Sequence, residues 1–138
     1  MKLIAVIEDR NGMLFNHRRV SSDRILIDKI RKILQGHTLL IHPFSEQLFP
    51  DAKVDDHFLE IAGKDDFCFI EDCSAKAYEE RVSDVYLFHW NRRYPADFFF
   101  DFPLNHFFMA STEDFTGYSH EKITLEIWRR GGETNEQR

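Results

Sequence analysis

Apolar residues along this chain gather in short runs set off by turn-forming residues. The runs at residues 3–7, 38–41, 67–70 and 85–90 read as buried strands. Between the first two, Leu26, Ile30, Ile33 and Leu34 recur at helical spacing and predict a helix over about 22–34. Ser21 or Ser22 can cap it, and Asp23 falls in its first turn, where the helix dipole favours a carboxylate. Asp28 and Lys32 can pair at i,i+4, and Gly36 is placed to end the helix. Strand, helix and strand in alternation predict an α/β domain with a mostly parallel sheet flanked by helices.

The remaining segments fit around that frame. Residues 9–12 read as a turn and 13–20 as a loop carrying Arg18 and Arg19. This loop leaves the end of a central strand, beside the crevice where open α/β sheets bind ligands. Residues 44–49 predict a short helix between Pro43 and Pro50, and residues 75–81 predict another. The acidic stretch 51–66 has poor periodicity, with Phe58, Leu59 and Ile61 as candidates for a minor strand. Residues 84–130 read as strands at 85–90, 107–110 and 123–128, with a Pro-Ala-Asp turn and the run 98–100 between the first two. Residues 131–138 form a polar tail, leaving one domain over 1–130.

Composition narrows the function classes. A 138-residue chain that is 43% hydrophobic can bury one core. With 18 basic and 24 acidic residues, its net charge of -6 argues against nucleic acid as a partner. No apolar run approaches the roughly 20 residues that cross a bilayer, and Glu8-Asp9-Arg10 follows the first run too soon for a signal peptide, so a cytoplasmic protein without a membrane partner is expected. Cys68 and Cys73 read as free thiols. The seven histidines are scattered and His37 and His42 point to opposite faces of a strand, so no metal site is expected. Fourteen phenylalanines, crowded at 98–102 and 107–108, read first as core filling; a homodimer face through this region is a further reading. Arg18 and Arg19 with Arg92 and Arg93 could meet near the crevice and receive a small anionic ligand.

Several segments in order resemble dihydrofolate reductase: Leu3-Ile4-Ala5-Val6, Asp9-Arg10-Asn11-Gly12, Tyr86-Leu87-Phe88-His89-Trp90, Tyr94-Pro95-Ala96-Asp97-Phe98, Ala110-Ser111-Thr112-Glu113 and Tyr118-Ser119-His120, which leads into Leu125-Glu126-Ile127-Trp128-Arg129-Arg130. The resemblance covers most of the chain. It implies a mixed, mostly parallel sheet with flanking helices and a C-terminal antiparallel hairpin, and hydride transfer from NADPH to a pteridine. It also implies that Asp23 is the carboxylate that anchors the pterin ring, a role a carboxylate can fill by bidentate hydrogen bonding.

The departures from the family are concentrated where its chemistry lies. Phe98 stands where the resemblance implies the active-site threonine. Glu71-Asp72-Cys73 follow Ile70 where it implies paired glycines against a diphosphate, and carboxylates there would repel one. His42-Pro43-Phe44-Ser45 lacks the implied arginine, and the region from Phe49 to Asp66 is shorter than the family's adenosine-binding part. The first reading is therefore a divergent member that has lost ordinary NADPH-dependent reduction, needs no cofactor, and binds a small molecule or a protein, with Arg18, Arg19 and Phe98 as substrate-binding candidates. The alternative is an active NADPH-dependent reductase of a pteridine or related heterocycle, with Asp23 as its catalytic carboxylate.

Overall fold

The computed structural model describes residues 1–131; of the predicted tail at 131–138, residues 132–138 lie outside the described residues. Strand β1 (Lys2–Ile7) is the centre of a seven-stranded sheet. It pairs in parallel with β6 (Phe67–Phe69) on one side and β7 (Asp84–His89) on the other. Beyond β6 lie β4 (Leu39–Ile41) and β5 (Lys53–Val54), both parallel. Beyond β7 comes β10 (Ile123–Arg130), antiparallel to it, and then β9 (Phe107–Phe115), antiparallel to β10, which gives the order β5-β4-β6-β1-β7-β10-β9. Sequence runs with no polar alternation mark the strands that this arrangement buries: Leu3, Ile4 and Ala5 are fully enclosed, as are Cys68 and Val85.

Helix α1 (Arg24–Leu34) packs Leu26 and Ile30 into the core with Ile4, Ile41, Phe69 and Phe88. Its cap is Asp23 itself, one or two residues later than the predicted Ser22 or Ser21; its carboxylate accepts from the Ile25 and Leu26 N–H groups. Asp28 meets Arg31 at 3.8 Å rather than the predicted Lys32. The helix ends on Gln35 and Gly36, both with positive φ, and Gly36 takes 86° without a Cβ penalty.

Three segments differ from their sequence patterns. Residues 13–20 are no loop: β2 (Gly12–Phe15) and β3 (Arg18–Arg19) form a hairpin turning on Asn16 and His17, both left-handed. β2 also pairs with β8 (Phe98–Phe99), making a second, three-stranded antiparallel sheet. Phe58, Leu59 and Ile61 belong to a one-turn helix, α2 (Phe58–Ile61), and the minor strand is β5 just before it, too short to carry a readable alternation. The predicted helices at 44–49 and 75–81 are 3-10 turns at Pro43–Ser45 and Lys76–Arg81.

The aromatic crowding divides by depth. Phe100, Phe102 and Phe107 are buried in one core cluster, while Phe99 and Phe108 remain almost half exposed. Among the described residues no helix is long and apolar enough to cross a membrane.

The join between the two sheets is held by a buried carboxylate. Glu8, 1% exposed, accepts from the N–H groups of Gly12 (2.7 Å), Arg10 (2.8 Å) and Tyr94 (3.3 Å). A Cβ at Gly12 would lie 2.3 Å from the Ala96 Cβ and 2.7 Å from Glu8 Oε2. Gly12→Ala should therefore lower stability by about 1–3 kcal/mol in urea unfolding; an unchanged midpoint would show that this junction yields freely.

Candidate functional site

The carboxyl ends of β1, β6 and β7 open onto a narrow cleft with about 20 Å³ of free space, partly open to solvent. This is the position at which the chain passes to opposite sides of a central strand, where α/β sheets place ligands. Val6, Leu26, Ile27, Phe69 and Trp90 give it apolar walls, and Arg19, Ser21, Ser22 and Glu71 give it polar edges.

Asp23 borders this cleft, yet its side chain has no exposed surface. Oδ1 accepts from the N–H groups of Ile25 (3.0 Å), Leu26 (3.4 Å) and Tyr118 (2.8 Å). Oδ2 accepts from the Ser119 N–H (2.9 Å), the Ser119 hydroxyl (3.3 Å) and His120 Nδ1 (2.9 Å). One carboxylate thus joins the start of α1 to the turn between β9 and β10. Burial raises its pKa and is the largest single influence. The donors from Tyr118, His120, Ser119 and Ile25 together outweigh it and hold the carboxyl well below its ordinary range.

His120 is 5% exposed and lies flat on Trp90, with ring centroids 4.4 Å apart. An ionised carboxylate only accepts, so Nδ1 carries the proton toward Asp23. Nε2 then faces two hydroxyls, Ser21 Oγ at 3.0 Å and Tyr94 OH at 3.1 Å.

A second polar cluster crosses the cleft. Arg19 on β3 binds Glu71 through two parallel contacts, 2.7 Å and 2.8 Å, and Glu71 also accepts from the buried Ser45 hydroxyl at 2.7 Å. The fork geometry of guanidinium and carboxylate makes this a directional clasp from the hairpin to the end of β6. It leaves Arg19 without free charge for an anionic ligand.

The other residues singled out in the sequence lie elsewhere. Arg18 is exposed at the start of β3. Phe98 is half-buried in the three-stranded sheet, pairs with Leu14, packs on the core cluster around Leu3 and does not line the cleft. The sequence assigned no role to His120, Tyr94, Trp90 or Ser45, which converge from three separate segments. The one local signal was Ser21-x-Asp23 at a helix start. Among the described residues no group of three or more His, Cys, Asp or Glu side chains is placed to hold a metal ion. Burial pushes both thiols up to about 12, far from a nucleophilic thiolate.

Removing the charge at Asp23 should cost stability. Asp23→Asn replaces an acceptor of six contacts by a group that turns an NH2 toward N–H donors, and on the order of 3 kcal/mol should be lost in urea unfolding. The pH dependence has a definite sign. With its folded pKa below the unfolded value of about 3.9, Asp23 contributes stability fully above that value and loses it as pH falls toward the folded pKa. The Asn variant should therefore show a flatter acid limb, and equal acid slopes would contradict the assignment. For the clasp, Arg19→Ala should destabilise the wild-type protein more than the Glu71→Gln protein, because only the former strands a buried charge.

No protein-family model matches this sequence, and no curated protein matches it. Among solved structures the chain is similar to dihydrofolate reductase from Enterococcus faecalis complexed with NADP(H) and RAB-propyl. The two share 12% of residues at a TM-score of 0.72, over 96% of this chain and 97% of that one. The likeness shows the fold: this chain has a dihydrofolate-reductase-like architecture, with a mixed, mostly parallel sheet and a C-terminal antiparallel hairpin.

Proposed function

We propose that this protein is a small-molecule binding module on a dihydrofolate-reductase-like fold, without NADPH-dependent reduction. The observation that carries this reading is the saturation of Asp23. A carboxylate offers about four acceptor positions, and six protein contacts already converge on its two oxygens. An amino-pyrimidine edge could bind there only by displacing the Tyr118–His120 turn.

NADPH does not fit the residues that follow β6. A diphosphate needs close backbone approach and donors, whereas Glu71 and Asp72 supply carboxylates and no glycine. Glu71 is committed to Arg19 and Ser45, and Asp72 lies 3.0 Å from His42. No reaction step is assigned to a nicotinamide. The ligand favoured by the cleft is small and neutral, since its walls are apolar and its one arginine is offset by Glu71. Two free thiols suit a reducing compartment, consistent with a cytoplasmic protein.

Thermal-shift titration with NADPH and with methotrexate, alongside absorbance of the nicotinamide band in the presence of dihydrofolate, separates this from an active reductase. The melting temperature should stay flat with both compounds and the absorbance should hold steady. Tight NADPH binding together with turnover abolished by Asp23→Asn would establish the reductase instead.

A further inference from the structure

We propose that Ser21 is a base-activated nucleophile and that the cleft hydrolyses small neutral esters through an acyl-Ser21 intermediate. The inference rests on the cleft being a ligand site, as proposed above, and is independent of whether reduction has been lost.

Three side chains stand in series. Ser21 Oγ lies 3.0 Å from His120 Nε2, and His120 Nδ1 lies 2.9 Å from Asp23 Oδ2. Both distances are within the reach that nucleophile, base and orienting group require. Each member has the surroundings its role needs. Ser21 is half-buried and lines the cleft. The imidazole is fixed on one face by the Trp90 ring, and the Gly117 N–H holds the backbone of its turn by bonding the His120 carbonyl at 2.9 Å. Asp23 is ionised, buried and held by the turn, which fixes the tautomer that leaves Nε2 free to accept a proton. Asp23 is thus a positioning residue and does not touch substrate.

Two further groups bear on the reaction. Tyr94 OH reaches the same Nε2 at 3.1 Å, so a proton taken up there has a second oxygen partner. The Ser22 N–H, directly after the nucleophile, donates to no group among the described residues, which leaves it free for the oxygen of a tetrahedral intermediate. Apolar walls from Val6, Leu26, Ile27, Phe69 and Trp90 suit a short, uncharged acyl chain.

In the first step Ser21 Oγ bonds to the ester carbonyl carbon as its proton passes to Nε2. The tetrahedral intermediate collapses, the carbon–oxygen bond to the leaving group breaks, and that oxygen takes the proton from Nε2 and departs as an alcohol. Water then attacks acyl-Ser21 by the same route, its proton passing through Nε2 to Oγ. The products are a carboxylic acid and free Ser21.

The test uses the full chain with p-nitrophenyl butyrate for rate and a fluorophosphonate probe for site, with peptide mapping by mass spectrometry. Release of p-nitrophenolate should show a burst, and the probe should modify Ser21. Ser21→Ala, a change small enough for circular dichroism to match the wild type, should lower both rates by a factor on the order of 10² or more. Modification only at Tyr94, Ser22 or surface lysines would overturn the proposal, as would a wild-type rate equal to that of Ser21→Ala. The wild-type mapping needs no variant to fold. A negative result here would leave the NADPH and methotrexate titrations unaffected, so the two readings fail separately.

Discussion

The ionised carboxylate of Asp23 is the interaction on which the site depends. It caps the start of helix α1, and it also receives the turn that links β9 to β10, almost a hundred residues later in the chain. A buried charge of this kind is tolerated only where donors replace its hydration. Here the donors come from two elements that would otherwise meet across an open cleft mouth. The consequence is structural closure at the position where a carboxylate could have faced a ligand.

The same substitution of internal for external partners recurs across the cleft. Glu71 follows a fully buried strand, and the Arg19 guanidinium and Ser45 hydroxyl satisfy it from the hairpin and from the 3-10 turn after β4. Both carboxylates therefore tie segments together. What remains at the cleft beside them is uncharged: apolar walls and the residues Ser21 and Ser22. A dihydrofolate-reductase-like architecture can thus carry different side chains around the same crevice, because the sheet and the crevice follow from strand order while the lining follows from a few residues at strand ends.

Much of the sheet was legible because buried strands write themselves as unbroken apolar runs; Leu3 to Ile7, Phe67 to Phe69 and Val85 to Phe88 needed no tertiary information. The helix was legible from Leu26 and Ile30. The errors have a common cause in short elements stabilised from outside. β2 is held by β8 as well as by β3, and the turn at Asn16 and His17 uses two non-glycine residues at positive φ, so nothing local announces a hairpin. The helix α2 is a single turn fixed by packing of Phe58 and Leu59 on the core.

The candidate site was legible only in part. Asp23 could be found as a helix-start carboxylate, but its commitment to Tyr118, Ser119 and His120 is a long-range fact that no spacing encodes. Phe98 was legible as a departure from a family pattern, whereas its place in the second sheet depends on pairing with Leu14. His120 looked like one of several scattered histidines until the fold brought it between Trp90, Ser21 and Asp23.

Amide hydrogen exchange at Tyr118 and Ser119 tests the central claim most directly, because these two N–H groups are the donors that close the turn onto Asp23. Protection close to that of the central strands β1 and β7 is the predicted result. Exchange at the rate of an open surface loop would contradict it, since the turn would then swing away and leave the Asp23 carboxylate free for a ligand.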